Sequence, residues 1–287
     1  MKDELFKTPY WRESGKNKLQ GAFAFDEKVG PIFDDMAKRS IPGYAQNMKM
    51  MVEFLIRLLF EEGFDKAFEE KFEKNSQKKI RKNFEEKKKQ QKIFYDLGCS
   101  TGSLLVLLYN RLLSLKNLKS TKLKLIGIDS SQAMIDQALK KENKLKKKSP
   151  VEINFLKEDL LQFLPSKTHL ADGIFLNYTL QFIKPNLRQK LLKNIYQSLK
   201  KGAPFFLSEK VVEKDEKISR LFEEQHLLFK KMQNYSDLEI SAKRKSIENF
   251  LIPQTLEKYT TQLKKAGFKR ITIMNKWYNF ASIIAFK

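Results

Sequence analysis

The chain has 287 residues, with 56 Lys or Arg against 34 Asp or Glu, a formal charge of +22, a hydrophobic fraction of 41% and one cysteine. That length supplies the core of one large α/β domain, and a lone cysteine excludes an internal disulfide framework. No stretch reaches the ~18 uncharged apolar residues of a membrane-spanning helix. Met1–Glu13 is charged and has no apolar run of signal-peptide length, so the expected setting is soluble and reducing, the cytoplasm.

Only nine of the basic residues are arginine. Specific readers of bases and phosphates lean on arginine, so the lysine excess reads first as solvated faces. No stable nucleic-acid binding is required by it, although a weak, salt-sensitive attraction to RNA is left open.

Asp26–Arg39 reads as a helix, with Phe25 before an Asp cap and Val29, Phe33 and Met36 on one face. Ser40-Ile41-Pro42-Gly43 ends it and presents Tyr44 at the head of a second helix, 44–60. The stripe Met48, Met51, Val52, Leu55, Ile56 and Leu59 belongs to the core. Residues 65–92 hold eleven basic residues against six acidic ones. Phe64, Phe68, Phe72, Ile80 and Phe84 recur there at multiples of four, which predicts a basic helical insert with a thin apolar seam.

From Ile93 onward strands and helices alternate, the pattern of a parallel sheet covered on both faces. Strands are expected at 93–97, 122–128, 151–156, 171–177, 203–209, 268–275 and 278–286. The last two, parted by Lys276 and Trp277, should form an antiparallel edge hairpin. Helices at about 214–232, 236–248 and 254–266 exceed what such a sheet needs and are expected to form a lid over the strand ends. The whole reads as one domain: 1–64 N-terminal helices, 65–92 insert, 93–213 core, 214–266 lid and 267–287 hairpin.

The most informative segment is Ile93–Gly102, where an apolar strand ends on Asp96 and turns through Gly98 and Gly102 into a helix. Gly98 allows a ligand to approach the backbone. A dinucleotide fingerprint needs G-x-G-x-x-G; this loop reads G-x-x-x-G, with Cys99, Ser100 and Thr101 between the glycines. It looks like the cofactor loop of S-adenosylmethionine (SAM) methyltransferases, whose Rossmann-like class I fold carries a seven-stranded, mostly parallel α/β sheet with a reversed C-terminal strand. Asp129 ends the second strand, where a carboxylate can accept from both hydroxyls of a ribose, and Asp159 follows the third. Two histidines and one cysteine make no metal-ligand cluster, so no metal is expected.

Motifs outside that loop narrow the resemblance. The chain carries F-D-E-K-V (25–29), F-D-D-M-A-K-R-S-I-P-G-Y (33–44), Y-D-L-G-C-S-T-G (95–102), I-D-S-S-Q-A-M-I (128–135), N-Y-T-L-Q-F (177–182), L-S-E-K (207–210), Y-S-D-L-E-I-S-A-K-R (235–244), A-G-F (266–268) and N-F-A-S (279–282). Together these resemble the carboxy-S-adenosylmethionine synthases, which serve the modification of the wobble uridine of some tRNAs. The resemblance runs from Phe25 to the C-terminus and offers no counterpart for 65–92.

The resemblance implies that SAM is a substrate whose sulfonium methyl is carboxylated, with prephenate as carboxyl source and phenylpyruvate as by-product. It implies a homodimer, for which Leu227, Leu228 and Phe229 on the lid are a plausible contact. Residue by residue, Gly98, with Cys99 and Ser100, would flank the methionine part of SAM, and Asp129 and Ser130 would hold the ribose. Asp159 and Leu160 would border the adenine, Asn177 would face the sulfonium, and Tyr44 would close the pocket. Arg244, the one residue given a catalytic role, would pair with the carboxylate that distinguishes the carboxy-SAM product.

The sequence departs from the family at Asp129-Ser130-Ser131, at Gln233-Asn234-Tyr235-Ser236, which lacks the usual glycine, and at Lys201-Gly202-Ala203. An ordinary methyltransferase acting on RNA or a small molecule would share the loop and the acids but not need Arg244. A non-catalytic RNA-binding module would need neither. His226 is expected to be a packing contact, as is Cys99.

Overall fold

The computed structural model describes residues 25–60, 91–115, 122–145, 149–163, 170–247 and 250–287; nearly all of the basic segment 65–92 lies outside them. Their strands are β1 (Lys92–Leu97), β2 (Leu123–Asp129), β3 (Val151–Lys157), β4 (Gly173–Asn177), β5 (Pro204–Lys210), β6 (Arg270–Trp277) and β7 (Phe280–Phe286). They form one sheet in the order β3-β2-β1-β4-β5-β7-β6, parallel except at β7, which runs antiparallel to both neighbours.

Alternation along the central strands sorts side chains between two cores. Phe94, Phe175 and Phe206 face α2 (Tyr44–Phe60), α3 (Ser103–Leu113) and α4 (Gln132–Glu142), burying Met51, Leu55, Leu108 and Ile135. Phe175 and Phe206 stack at 4.9 Å. Ile93, Leu97, Ile174 and Leu207 face the other way, against Leu191 and Ile195 of α5 (Pro185–Ser198) and Tyr259 and Leu263 of α8 (Leu256–Ala266). Each such side chain contributes about 1.5–3 kcal/mol on burial.

Three expectations are corrected. The first helix does not begin at Asp26. Asp26 Oδ1 accepts from the N–H groups of Lys28 and Val29, at 3.0 and 3.1 Å, closing a turn. A single 3₁₀ turn, Gly30–Ile32, follows, and α1 spans only Phe33–Ser40; Pro31 has no N–H to continue a helix begun upstream. The edge hairpin turns at Tyr278-Asn279, not Lys276-Trp277, because Trp277 pairs with Phe280 across the ladder.

The third correction concerns the lid. Of the three, α6 (Glu216–Met232) brings His226 and Lys230 over the strand ends, whereas α7 (Asp237–Ile247) brings none of its described side chains there. The helix expected at 254–266 is α8, whose Tyr259, Leu263 and Ala266 are buried in the core beside α5. The apolar residues of α8 cover a face of the sheet, not its ends.

Chain order reverses between β1 and β4. In an open α/β sheet the crevice beyond the C-terminal ends at such a switch point is where ligands bind.

Candidate active site

A cavity of about 410 Å³ occupies that crevice. Its floor is the C-terminal ends of β1, β2, β4 and β5; its walls come from α1, α2, the segment 178–183 and α6.

The glycine loop is shaped from within. Gly98 sits at φ +74°, and a Cβ there would stand 2.4 Å from Oγ1 and Cγ2 of Thr179. Its bare backbone therefore makes room for Thr179 as well as facing the cavity. Ser100, at φ +50°, is held by its N–H to Asp129 Oδ2 at 2.9 Å, while Asp129 Oδ1 accepts from the Ser131 N–H at 2.9 Å. The strand-end acid thus pins the loop and also lines the cavity. Burial pushes its carboxyl upward, opposed by those N–H groups. Cys99 is buried and its thiol is pushed up by burial and by Asp96 and Asp129, so it is a packing residue without thiolate character.

All the sequence-assigned residues but one line this cavity: Tyr44, Gly98, Cys99, Ser100, Asp129, Ser130, Asp159, Leu160 and Asn177. Asp159 also caps the turn Leu160–Gln162, accepting from the Leu161 N–H at 2.9 Å. Asn177 is steadied by Asn47, whose Nδ2 donates to Ser208 Oγ at 3.0 Å and reaches Asn177 Oδ1 at 3.4 Å. Asn47 Oδ1 accepts in turn from Ser282 at 2.7 Å and Asn275 at 2.9 Å. Tyr44 is buried, with its ring 6.0 Å from that of Tyr178, and burial holds its hydroxyl protonated. His226 is buried with Nε2 2.8 Å from the Ser40 carbonyl oxygen and its ring 4.9 Å from Phe280.

The exception is Arg244. It is exposed on α7 and is not part of the cavity wall. Its charge nevertheless bears on Lys210 and Lys230, which are.

Sequence reasoning missed three lining residues. Asp96 is buried with Oδ1 lacking any hydrogen-bond partner, and burial, then the Asp129 charge, push its carboxyl up to about 8. Its signal was present, an acid two residues before the loop glycine. Lys210 ends β5 and Lys230 lies near the end of α6; one lysine among so many carries no mark in the sequence.

Two clamps hold the N-terminal helix over the cavity. Thr101 and Ser103 donate to Asp34 Oδ1 at 2.7 and 2.8 Å, and Lys141 pairs with Asp34 while donating to both hydroxyls at 2.8 and 2.6 Å. Arg39 donates to the carbonyls of Gln233 at 2.9 Å and Asn234 at 3.2 Å and lies 4.2 Å over the Tyr235 ring. Asn234 adopts φ +63°, so the turn that lacks the expected glycine uses a residue that tolerates the left-handed region.

Among the described residues no group of three His, Cys, Asp or Glu is placed to hold a metal ion, and no helix is long and apolar enough to cross a membrane.

Residues 95–205, from β1 into β5, match the methyltransferase-domain family. A protein of Nautilia profundicola is 36% identical over 287 residues, 100% of both chains, and one of Helicobacter hepaticus is likewise 36% identical over 287 residues and 100% of both. A third, of Campylobacter lari, is 35% identical over the same span. All three are named carboxy-S-adenosyl-L-methionine synthase. These matches span the whole of this chain. Among solved structures, a putative O-methyltransferase from Nostoc punctiforme superposes with a TM-score of 0.55 at 12% identity, covering 99% of this chain and 70% of that one. A putative SAM-dependent methyltransferase from Methanococcus maripaludis gives 0.52 at 18%, covering 93% and 95%. Those two likenesses establish the Rossmann-like methyltransferase fold. Full-length identity at this level, on that fold, shows that the chain is a transferase belonging to the carboxy-S-adenosyl-L-methionine synthase family.

Proposed function

We propose that the protein converts SAM and prephenate to carboxy-SAM and phenylpyruvate, a cytoplasmic reaction supplying the carboxymethyl donor for tRNA wobble uridine modification. The observation that carries the SAM half is Asp96, a buried carboxyl in the lining of a cavity edged by two further acids, whose Oδ1 has no hydrogen-bond partner. A buried carboxylate without a partner is costly; the α-amino cation of SAM supplies one. Asp129 keeps lone pairs for the ribose hydroxyls while its N–H bonds fix the loop, and Asp159 accepts from the adenine amine beside Leu160.

The carboxyl half follows from the atoms to be moved. Prephenate loses carbon dioxide and hydroxide as its ring becomes aromatic, leaving phenylpyruvate. The hydroxide removes a proton from the sulfonium methyl to give water, and the methyl carbon's electron pair attacks the carbon dioxide. No protein base is needed. The protein must exclude water, which would quench the carbanion. Phe25, Phe33, Met36, Tyr44, Phe182 and Phe280 supply an apolar wall suited to this. Arg244, whose charge bears on the cavity residues Lys210 and Lys230, is the residue assigned to the new carboxylate. The homodimer contact assigned to Leu227, Leu228 and Phe229 is supported by the exposure of Leu228, whereas Leu227 and Phe229 are half-buried.

The test is mass spectrometry of the small molecules after incubation with SAM and prephenate. A species heavier than SAM by one carbon dioxide, with equimolar phenylpyruvate, is the expected result. SAM left unchanged by prephenate, or a methylated acceptor, refutes it and favours an ordinary methyltransferase.

A further inference from the structure

The strand ends beneath the cavity change sign across the sheet. In the spatial order β3-β2-β1-β4-β5 they present Asp159, Asp129, Asp96, the neutral Asn177 and then Lys210. Lys230 of α6 lines the cavity with Lys210. SAM is a cation at its sulfonium and its amino group, and it suits the acidic half. The basic half repels those charges.

Lys210 and Lys230 have the properties of groups waiting for an anion. Both are partly withdrawn from water, and neither takes part in an ion pair among the described residues. The charged groups around them come from three elements: Glu223 and His226 of α6, Lys210 of β5 and Arg244 of α7. Only Glu223 offsets the positive charge, and it acts on Lys210. Burial, then Lys210 and Arg244, push the Lys230 ammonium down to about 8. Like charges held together in a partly dry pocket oppose folding; the arrangement gains only when a ligand brings negative charge.

We propose that Lys210 and Lys230 dock the retained carboxylate of the carboxyl donor, a small dicarboxylate, and so place the carboxylate it loses on the sulfonium side of SAM. This rests on the reading of the function given above. The geometry gives the two substrates separate halves of one cavity, meeting at Asn177. A dianion seated on the lysines points its reacting end toward the acids, where the sulfonium lies.

The experiment uses the full chain saturated with S-adenosylhomocysteine, which lacks the reacting methyl, and titrates prephenate into it by calorimetry. Lys210→Met, Lys230→Met and the charge-keeping Lys230→Arg are compared, with SAM affinity and steady-state kinetics measured in parallel. Each Met variant is expected to weaken prephenate binding and raise its KM at least tenfold, with SAM affinity within twofold of the parent. Lys230→Arg is expected to restore most of the prephenate binding. Melting temperatures should stay level or rise, which separates a docking role from a structural one. In Lys210→Met the pH at which prephenate binding falls off should move upward, since Lys230 loses a like-charged neighbour.

Prephenate binding that ignores both substitutions, or is absent from the parent, overturns the inference. So does an equal loss of SAM affinity. A parent that binds prephenate through these lysines but forms no carboxy-SAM upholds the docking site and refutes the proposed reaction instead.

Discussion

Replacing Asp96 with asparagine tests the SAM site at its most strained atom. The carboxyl has a reference value of 3.8 and is pushed to about 8 in the fold. Its folded value is raised, so the stability it contributes is fully present below pH 3.8 and is lost as pH rises toward 8. At pH 7 the unfolded chain is ionised there and the folded chain is mostly not. The gap from 3.8 to 7 is about three units at ~1.36 kcal/mol each, or about 4 kcal/mol. Relaxation and water entry reduce this, so asparagine, an uncharged isostere, should stabilise the free protein by ~2–4 kcal/mol at pH 7. That is a rise of roughly 4–12 °C in Tm, shrinking toward zero at pH 4. The same substitution should weaken SAM at least tenfold, because the amino cation loses its carboxylate. In the parent, SAM affinity should rise about tenfold per pH unit between 6 and 8, with up to one proton released on binding. Differential scanning fluorimetry across pH, with calorimetry in buffers of different ionisation heat, measures both. An asparagine variant no more stable than the parent at pH 7, or one with unchanged SAM affinity, refutes the reasoning.

Glu209 is pushed to about 8 as well, but its oxygens accept from the N–H groups of Leu180 and Gln181, each at 2.8 Å. Glu209→Gln removes one of these acceptors, a loss of about 1–3 kcal/mol that offsets the gain from an uncharged side chain, so in denaturant melts at pH 7 it should stabilise less than Asp96→Asn. Asn234→Gly should leave stability within ~0.5 kcal/mol because φ +63° suits either residue, whereas Asn234→Val should cost about 1–2 kcal/mol. Arg244→Ala should weaken carboxy-SAM at least tenfold and SAM less than threefold, measured by competition; equal losses would remove Arg244 from carboxylate recognition.

The parallel sheet was legible because its strands are apolar on both faces and end on punctuation, as Ile93–Leu97 before Gly98 shows. The acids Asp129 and Asp159 were found for the same reason: topology places strand ends in one crevice. Helix boundaries were less secure. Pro31 sits within an otherwise helical pattern, and its missing N–H decided the start of α1. The segment at 254–266 has the amphipathic pattern of a lid helix and of an outer layer helix alike; only the position of α5 settles which core takes Tyr259 and Leu263. Lys210 and Lys230 were invisible because burial, not identity, separates them from the other lysines.

The cap over the cavity is assembled from pieces far apart in sequence. Ser40 and His226, 186 residues apart, share a hydrogen bond, and the Ser40 hydroxyl lies 3.1 Å from that of Tyr235. Arg39 ties the same helix to the carbonyls that end α6. These contacts form a latch. They join α1 both to the interior of α6, at His226, and to the turn that follows it, so fraying of the end of α6 alone does not open the roof. Timing is where such a latch would show: release of product that waits on its opening gives a burst ahead of a slower steady state.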